Sequence, residues 1–297
     1  MIRWRLQPGP TVAAVDRPAN GPIVLVLPAH DEAPRIAAVV ERLPSVVCGR
    51  RTRCLVVDDG STDETAAVAR AAGASVVVHP ENLGLGAAVR TGLRAAVGLG
   101  AAVVAFCDAD GEYDPSELER LVAPILAGDA GYVVGSRFAG SIERMRPHRR
   151  LGNVALTALT RWLTRLPVTD GQSGYRALSH AAAADAELVH DYNYAQVLTL
   201  DLVAKGHGYV EVPITYRFRR SGRSFVRLGP YLRRVLPAIW RQLNAPEATS
   251  VETVAGAAPP NPIAVLRRQF TAGARSPGST SLADARSVDD VVEAVAS

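Results

Sequence analysis

Ala101-Ala102-Val103-Val104-Ala105-Phe106-Cys107-Asp108-Ala109-Asp110-Gly111-Glu112 is the stretch that decides the fold. A short unbroken apolar run that ends abruptly in spaced carboxylates reads as a strand buried on both faces, over Ala101–Cys107, ending at Asp108. Side chains two apart on an extended chain share a face, so Asp108 and Asp110 can point the same way, and Glu112 continues the alternation. The carboxylates therefore belong to the rim of a sheet and not to its core.

The same grammar, apolar strand then polar loop, recurs on the N-terminal side. Ile23–Leu27 runs into Pro28-Ala29-His30-Asp31-Glu32, and Cys54–Val57 runs into Asp58-Asp59-Gly60-Ser61-Thr62-Asp63-Glu64. Further strands are predicted at Ser75–Val78 and Tyr132–Gly135. Helices are predicted over 34–43, from the Ser61/Glu64 capping-box spacing to about Ala72 with Gly73 as its stop, over Gly86–Leu99 closed by Gly100, and over 115–127. This alternation predicts an α/β fold, a Rossmann-like doubly wound and mostly parallel central sheet with helices on both faces. Ligands in such a sheet bind at the carboxyl ends of the strands.

After Arg137 the rhythm changes. Leu151, Val154, Ala155, Ala158, Leu159 and Trp162 stand at helical spacing within 151–165. Helices are also predicted over 181–189 and 194–204, a strand over Tyr209–Tyr216, and a basic amphipathic helix over 230–243. The segment 1–21 reads as an irregular leader without a hydrophobic signal core, and 245–297 as a mostly disordered tail with a short helix near 284–296. The domain thus spans 22–244, in two halves over 22–137 and 138–244.

The net charge of +4 is unevenly spread. Val212–Pro246 is rich in Arg and free of Asp and Glu, and Arg144, Arg146, Arg149 and Arg150 form a second patch. Such patches suit phosphates or acidic lipid surfaces, and both equally describe a solvated face in a chain whose basic residues are nearly all Arg. Cys48, Cys54 and Cys107 have no metal-site spacing; the last two sit in apolar runs and read as core residues in a reducing compartment. No apolar stretch is long enough to cross a bilayer, so membrane contact would be peripheral.

Asp108-Ala109-Asp110 suits a hard divalent cation, which neutralises charge developing on a diphosphate leaving group. An acidic turn after a strand explains the triplet alone, but not its company. In order along the chain stand Pro28 to Glu32, Asp59 with Ser61, Gly84-Leu85-Gly86, the triplet, Gly135-Ser136-Arg137, Gln172-Ser173-Gly174-Tyr175-Arg176, Glu211-Val212-Pro213-Ile214, Arg219 and Gly222-Arg223-Ser224. In this order of motifs the chain resembles glycosyltransferase family 2, with its GT-A fold, over roughly residues 20–243. More narrowly it is similar to the dolichol-phosphate mannose synthase branch of polyprenyl-phosphate glycosyltransferases. It departs from that branch at His30 and Asp31 in place of Tyr and Asn, at Glu112 in place of Gln, and at Tyr194-Ala195-Gln196-Val197, which lacks the usual Glu.

The resemblance implies an inverting transfer from a GDP- or UDP-sugar to an acceptor. It places Pro28, Asp31, Glu32, Asp58 and Gly84 at the nucleotide-sugar. Asp108, Asp110 and Glu112 would hold Mg²⁺ or Mn²⁺, and Arg137 and Arg219 would meet phosphates. A polyprenyl phosphate is the expected acceptor, met at the cytoplasmic face of a membrane. A soluble or cell-envelope alcohol is the alternative, and Asp170 would then be the general base. The outside alternative is a non-catalytic protein binding nucleotide-sugar or nucleic acid through its Arg patches. The carboxylate triplet argues against it, since carboxylates repel nucleic acid, and no nucleic-acid partner is expected.

Overall fold

The computed structural model describes residues 20–188 and 194–217. The expected leader, apart from its last two residues, the 230–243 helix, the tail, Arg219 and Gly222-Arg223-Ser224 lie outside the described residues.

Along the chain come β1 (Ile23–Ala29), α1 (Ala33–Val40), β2 (Val46–Val47), β3 (Arg50–Asp58), α2 (Thr65–Ala71), β4 (Ser75–Val78), α3 (Leu85–Gly98) and β5 (Val103–Phe106). Then follow α4 (Leu118–Ala127), β6 (Tyr132–Ile142), α5 (Pro147–Thr164), β7 (Arg176–Ser179), α6 (His180–Asp185), α7 (Ala195–Ala204) and β8 (Tyr209–Tyr216). One sheet runs β2-β3-β1-β5-β7-β6-β8, with β4 also paired to β3. The 22–137 and 138–244 halves share it.

β1 lies between β3 and β5 and is parallel to both, which is why all its residues are buried and its sequence is continuously apolar. Its alternate side chains feed two cores. Ile23, Leu25 and Leu27 pack with Ile36 of α1, Ala69 of α2 and Leu121 of α4, whereas Val24 and Val26 pack with Val89 and Leu93 of α3 and Leu198 and Leu202 of α7. Helices on both faces follow from strands that are apolar on both faces.

β7, for which the sequence carries no strand signal, is inserted antiparallel between β5 and β6, so the mostly parallel sheet is mixed. Two expectations need correction. β6 extends to Ile142, so Gly135-Ser136-Arg137 lies within a strand. Ser61 is not the cap of α2: that helix starts at Thr65, and the Ser61 hydroxyl instead accepts from the Asp31 backbone N–H at 3.0 Å. Binding the neighbouring loop wins over capping because β1 and β3 end side by side, Ala29 opposite Asp58.

Candidate functional site

β1, β3 and β5 deliver their polar loops to one rim. The first two loops are sewn together through side-chain acceptors. Asp31, in the left-handed region at φ 54°, accepts from the Thr62 backbone N–H at 2.8 Å and from its hydroxyl at 3.2 Å. The Thr62 N–H holds the Asp31 carboxyl below its usual range. Glu32 is buried, donates its N–H to the Thr65 hydroxyl at 2.8 Å and accepts from Arg35 at 2.6 Å. Asp58 is buried and accepts from the Ser61 N–H at 3.0 Å. Pro28 is a buried β1 residue opposite Val57.

Asp59, known from the sequence for its place in the motif order alone, has a structural task. It is buried and accepts from the Leu83 N–H at 3.0 Å and the Gly84 N–H at 2.8 Å, while His79 bridges its Oδ1 (2.7 Å) to the Thr91 hydroxyl (3.0 Å). One carboxylate thus fixes the loop leading into α3 and holds Gly84 at the rim. Gly60 permits this: it sits at φ 68°, and a Cβ there would meet the Glu81 carbonyl carbon at 2.4 Å. His79 was legible by position, as a polar residue directly after an apolar strand.

The carboxylate triplet lies at the end of β5. Asp108 is pushed up to about 7 by burial and by the charges of Asp110 and Glu112, against the pull of Arg137 and Arg149. A divalent cation would relieve that repulsion, so Asp108 and Asp110 fit one chemically. Glu112 is placed differently. It accepts from the Tyr216 hydroxyl and faces Arg149 of α5 at 3.8 Å. Among the described residues no group of three or more His, Cys, Asp and Glu stands arranged around a common metal position.

β7 brings the second half to this rim. Phe106 pairs with Arg176, so the antiparallel register carries the chain before Arg176 alongside the chain after Phe106. A Cβ on Gly174 would meet Asp108 Oδ2 at 2.7 Å, and the Gly174 N–H donates to the Tyr113 hydroxyl at 2.8 Å. Only glycine passes the carboxylate this closely. Arg176 is fully buried and shapes the loop by donating to the carbonyls of Ser173 (2.8 Å), Gly171 (3.1 Å) and Ala195 (2.8 Å) and to the hydroxyl of Tyr132.

Arg137 and Asp170 are brought together. Asp170 is fully buried and accepts from Arg137 Nε at 2.6 Å, Nη2 at 2.8 Å and the Arg137 backbone N–H at 3.0 Å. A carboxylate so engaged is a counter-ion for the guanidinium, and its geometry does not suit the general base expected of it. Arg137 also lies over the Tyr216 ring, 5.3 Å from its centroid. Arg219 lies outside the described residues.

α5 is amphipathic the wrong way round. Thr157, Thr160 and Thr164 are buried at 3%, 1% and 4% exposure, while Leu151 (72%), Val154 (51%) and Trp162 (75%) face outward. Its inner face is anchored by polar contacts: the Thr157 hydroxyl accepts from the Gly171 N–H at 3.0 Å, and Arg161 donates to the Val168 carbonyl at 2.7 Å. Among the described residues the apolar stripe of α5 therefore lies outside the core. Among the described residues no helix is long and apolar enough to cross a membrane.

The family model described as "Glycosyl transferase family 2" matches residues 24–188. A UDP-N-acetylglucosamine–dolichyl-phosphate N-acetylglucosaminyltransferase of Methanococcus voltae is 32% identical over 179 residues, 54% of this chain and 70% of the relative. A polyprenol monophosphomannose synthase of Mycolicibacterium smegmatis is 33% identical over 224 residues, 71% of this chain and 83% of the relative. Among solved structures, glucosyl-3-phosphoglycerate synthase from Mycobacterium tuberculosis, in complex with Mn²⁺, uridine diphosphate and phosphoglyceric acid, superposes with a TM-score of 0.63 at 27% identity, covering 77% of this chain and 81% of that one. Another structure of that enzyme holds Mg²⁺ and uridine diphosphate.

Proposed function

We propose, for a chain that belongs to glycosyltransferase family 2 and has the GT-A fold, that it transfers a hexose with inversion from a GDP- or UDP-sugar to a polyprenyl phosphate lying in a membrane surface. The inside-out helix α5 carries the acceptor half of this reading. It presents Leu151, Val154 and Trp162 outward, contains no Asp or Glu, and is preceded by the exposed Arg144 and Arg146. Apolar side chains with Arg around them suit the headgroup zone of an anionic bilayer. Arg149 of the same helix reaches Glu112, so the membrane-facing element stands against the carboxylate rim.

On this reading Asp108 and Asp110 hold Mg²⁺ or Mn²⁺, which supplies charge neutralisation to the diphosphate. The loops at Pro28–Glu32 and Asp58–Ser61 form the wall for the nucleoside, and Asp59 sets Gly84 beside it. Arg137, kept in place by Asp170, offers its guanidinium to phosphate oxygens, and Arg219 is a second such group. An oxygen of the acceptor phosphate attacks the anomeric carbon as the bond to the nucleoside diphosphate breaks. That oxygen is already anionic, so no side-chain base is required, which agrees with Asp170 being committed to Arg137.

The experiment is a screen of labelled GDP- and UDP-sugars against membrane lipid extract with Mn²⁺. Label entering the organic phase is expected. Label appearing only in water-soluble product would replace the lipid reading with a soluble acceptor, a second reading supported by the phosphoglyceric acid in the structural neighbour.

A further inference from the structure

Glu211 opens the Glu211-Val212-Pro213-Ile214 motif, and the transferase reading gives it nothing to do. It stands half-buried on β8, which runs parallel to β6 with Val134 opposite Glu211, three residues before Arg137. A carboxylate at such a strand position is ordinarily solvated. Here its oxygens are taken up by one turn of the neighbouring loop. Oε2 accepts from the Thr169 N–H at 2.8 Å, Oε1 from the Asp170 N–H at 3.2 Å and from the Tyr209 hydroxyl at 2.5 Å, and the Thr169 hydroxyl donates to Oε2 as well.

Two consecutive backbone N–H groups captured by one carboxylate leave the turn little rotational freedom. The second of them belongs to Asp170, whose buried side chain in turn grips Arg137 through Nε, Nη2 and the backbone N–H. The Ser136 and Thr169 hydroxyls, 2.6 Å apart, tie the same turn to the residue before Arg137. The direction of the guanidinium is thus set by Asp170, and the seat of Asp170 is set by Glu211. From there Arg137 lies over Tyr216, whose hydroxyl donates to Glu112, and its charge acts on Asp108.

We propose that Glu211 is a positioning residue for sugar transfer, acting through the Thr169-Asp170 turn to aim Arg137 at the phosphates. The proposal rests on the transferase reading above but not on the identity of the acceptor. It is therefore tested on donor cleavage in water, read as nucleoside diphosphate released by the full chain with Mn²⁺, which needs no acceptor. Glu211→Gln keeps the size of the side chain and one acceptor oxygen, while placing an NH2 group against backbone donors. We expect kcat to fall about 10-fold, as for a misaimed electrostatic group, with the donor KM changed less than about 3-fold and the melting temperature close to wild type.

The deciding comparison is a double-mutant cycle with Arg137→Gln. If Glu211 works through Arg137, the double variant is no slower than Arg137→Gln alone. Independent multiplication of the two losses would overturn the proposal, as would wild-type kcat in Glu211→Gln. Should donor cleavage depend on Glu211 while no lipid product forms, the acceptor reading fails and this one stands. A wild-type chain that cleaves no nucleotide-sugar, either in water or with membrane lipid extract present, overturns both.

Discussion

Up to β5 the chain builds its site from backbone; beyond β5 it builds with buried charge. In the first region Asp31 and Asp59 accept from main-chain N–H groups of a neighbouring loop and Asp58 from one in its own loop, so parallel strands ending side by side are enough to set the geometry. In the second, Arg137–Asp170 and the buried Arg176 organise a single loop that β7 lays against Asp108. The first region can tolerate change in a side chain that water can replace. The second cannot, because an ion removed from one partner leaves the other buried without compensation. A site assembled from the two should therefore fail in different ways on its two sides.

The largest effect is expected where the two regions meet. Asp110→Ala removes a carboxylate beside Asp108, and metal-dependent donor turnover should drop about 1000-fold, the upper range for loss of one electrostatic stabiliser of a transition state. Steady-state rates across a Mn²⁺ titration measure it. Equal turnover with and without the carboxylate would remove the metal from this rim.

Gly174→Ala tests whether β7 matters to the triplet. Its Cβ would stand 2.7 Å from Asp108 Oδ2, so either the loop or the carboxylate must move. A displacement on the order of 1 Å at a reacting centre costs about 100-fold, and the fall should appear in kcat and in the Mn²⁺ concentration needed. Wild-type metal dependence would show the two regions to be independent.

On the outer face of α5, Trp162→Ser together with Leu151→Ser should weaken binding to anionic vesicles at least about 10-fold, from roughly 1.5 kcal/mol or more of apolar burial per side chain. The melting temperature should stay near wild type, because these side chains are already 75% and 72% exposed. Vesicle co-sedimentation together with a thermal melt checks both halves of the prediction. A large drop in melting temperature with unchanged vesicle binding would return the stripe to a packing role.

The smallest expected effect is on the inner face. Thr157→Val removes the acceptor for the Gly171 N–H and leaves a buried donor unpaired, a loss of about 1–2 kcal/mol. Denaturant titration would show it as a lowered midpoint with unchanged slope.

Much of the first region was legible because burial on both faces leaves a plain trace. β4 has the bounds that its apolar run predicts, and β1 and β3 contain theirs. The stop at Gly73 is equally local, a positive φ of 93° that glycine adopts freely. β7 left no such trace. Its four residues begin with an Arg, which reads as solvent-facing; carbonyls of Gly171, Ser173 and Ala195 and the hydroxyls of Tyr132 and Thr199, remote in sequence or hidden in a turn, make its burial possible. The helix α5 was readable as a helix from spacing, but spacing gives a face and not its direction. Thr157 turned inward meets the acceptor that the Gly171 N–H needs, and Arg161 supplies a donor to the Val168 carbonyl; both needs are tertiary. Asp170 and Arg137 each stand out in the sequence, yet their pairing crosses 33 positions and leaves no local trace.

One measurement reaches the central claim, a cation-held donor diphosphate meeting a lipid phosphate. The chain is incubated with labelled nucleotide-sugar, Mn²⁺ and vesicles containing either a polyprenyl phosphate or the matching polyprenol, and the organic phase is counted and treated with mild acid. The account predicts an acid-labile labelled lipid from the phosphate alone, abolished by chelator and by Asp110→Ala. Equal or greater labelling of the polyprenol, or label confined to water-soluble product, would contradict it.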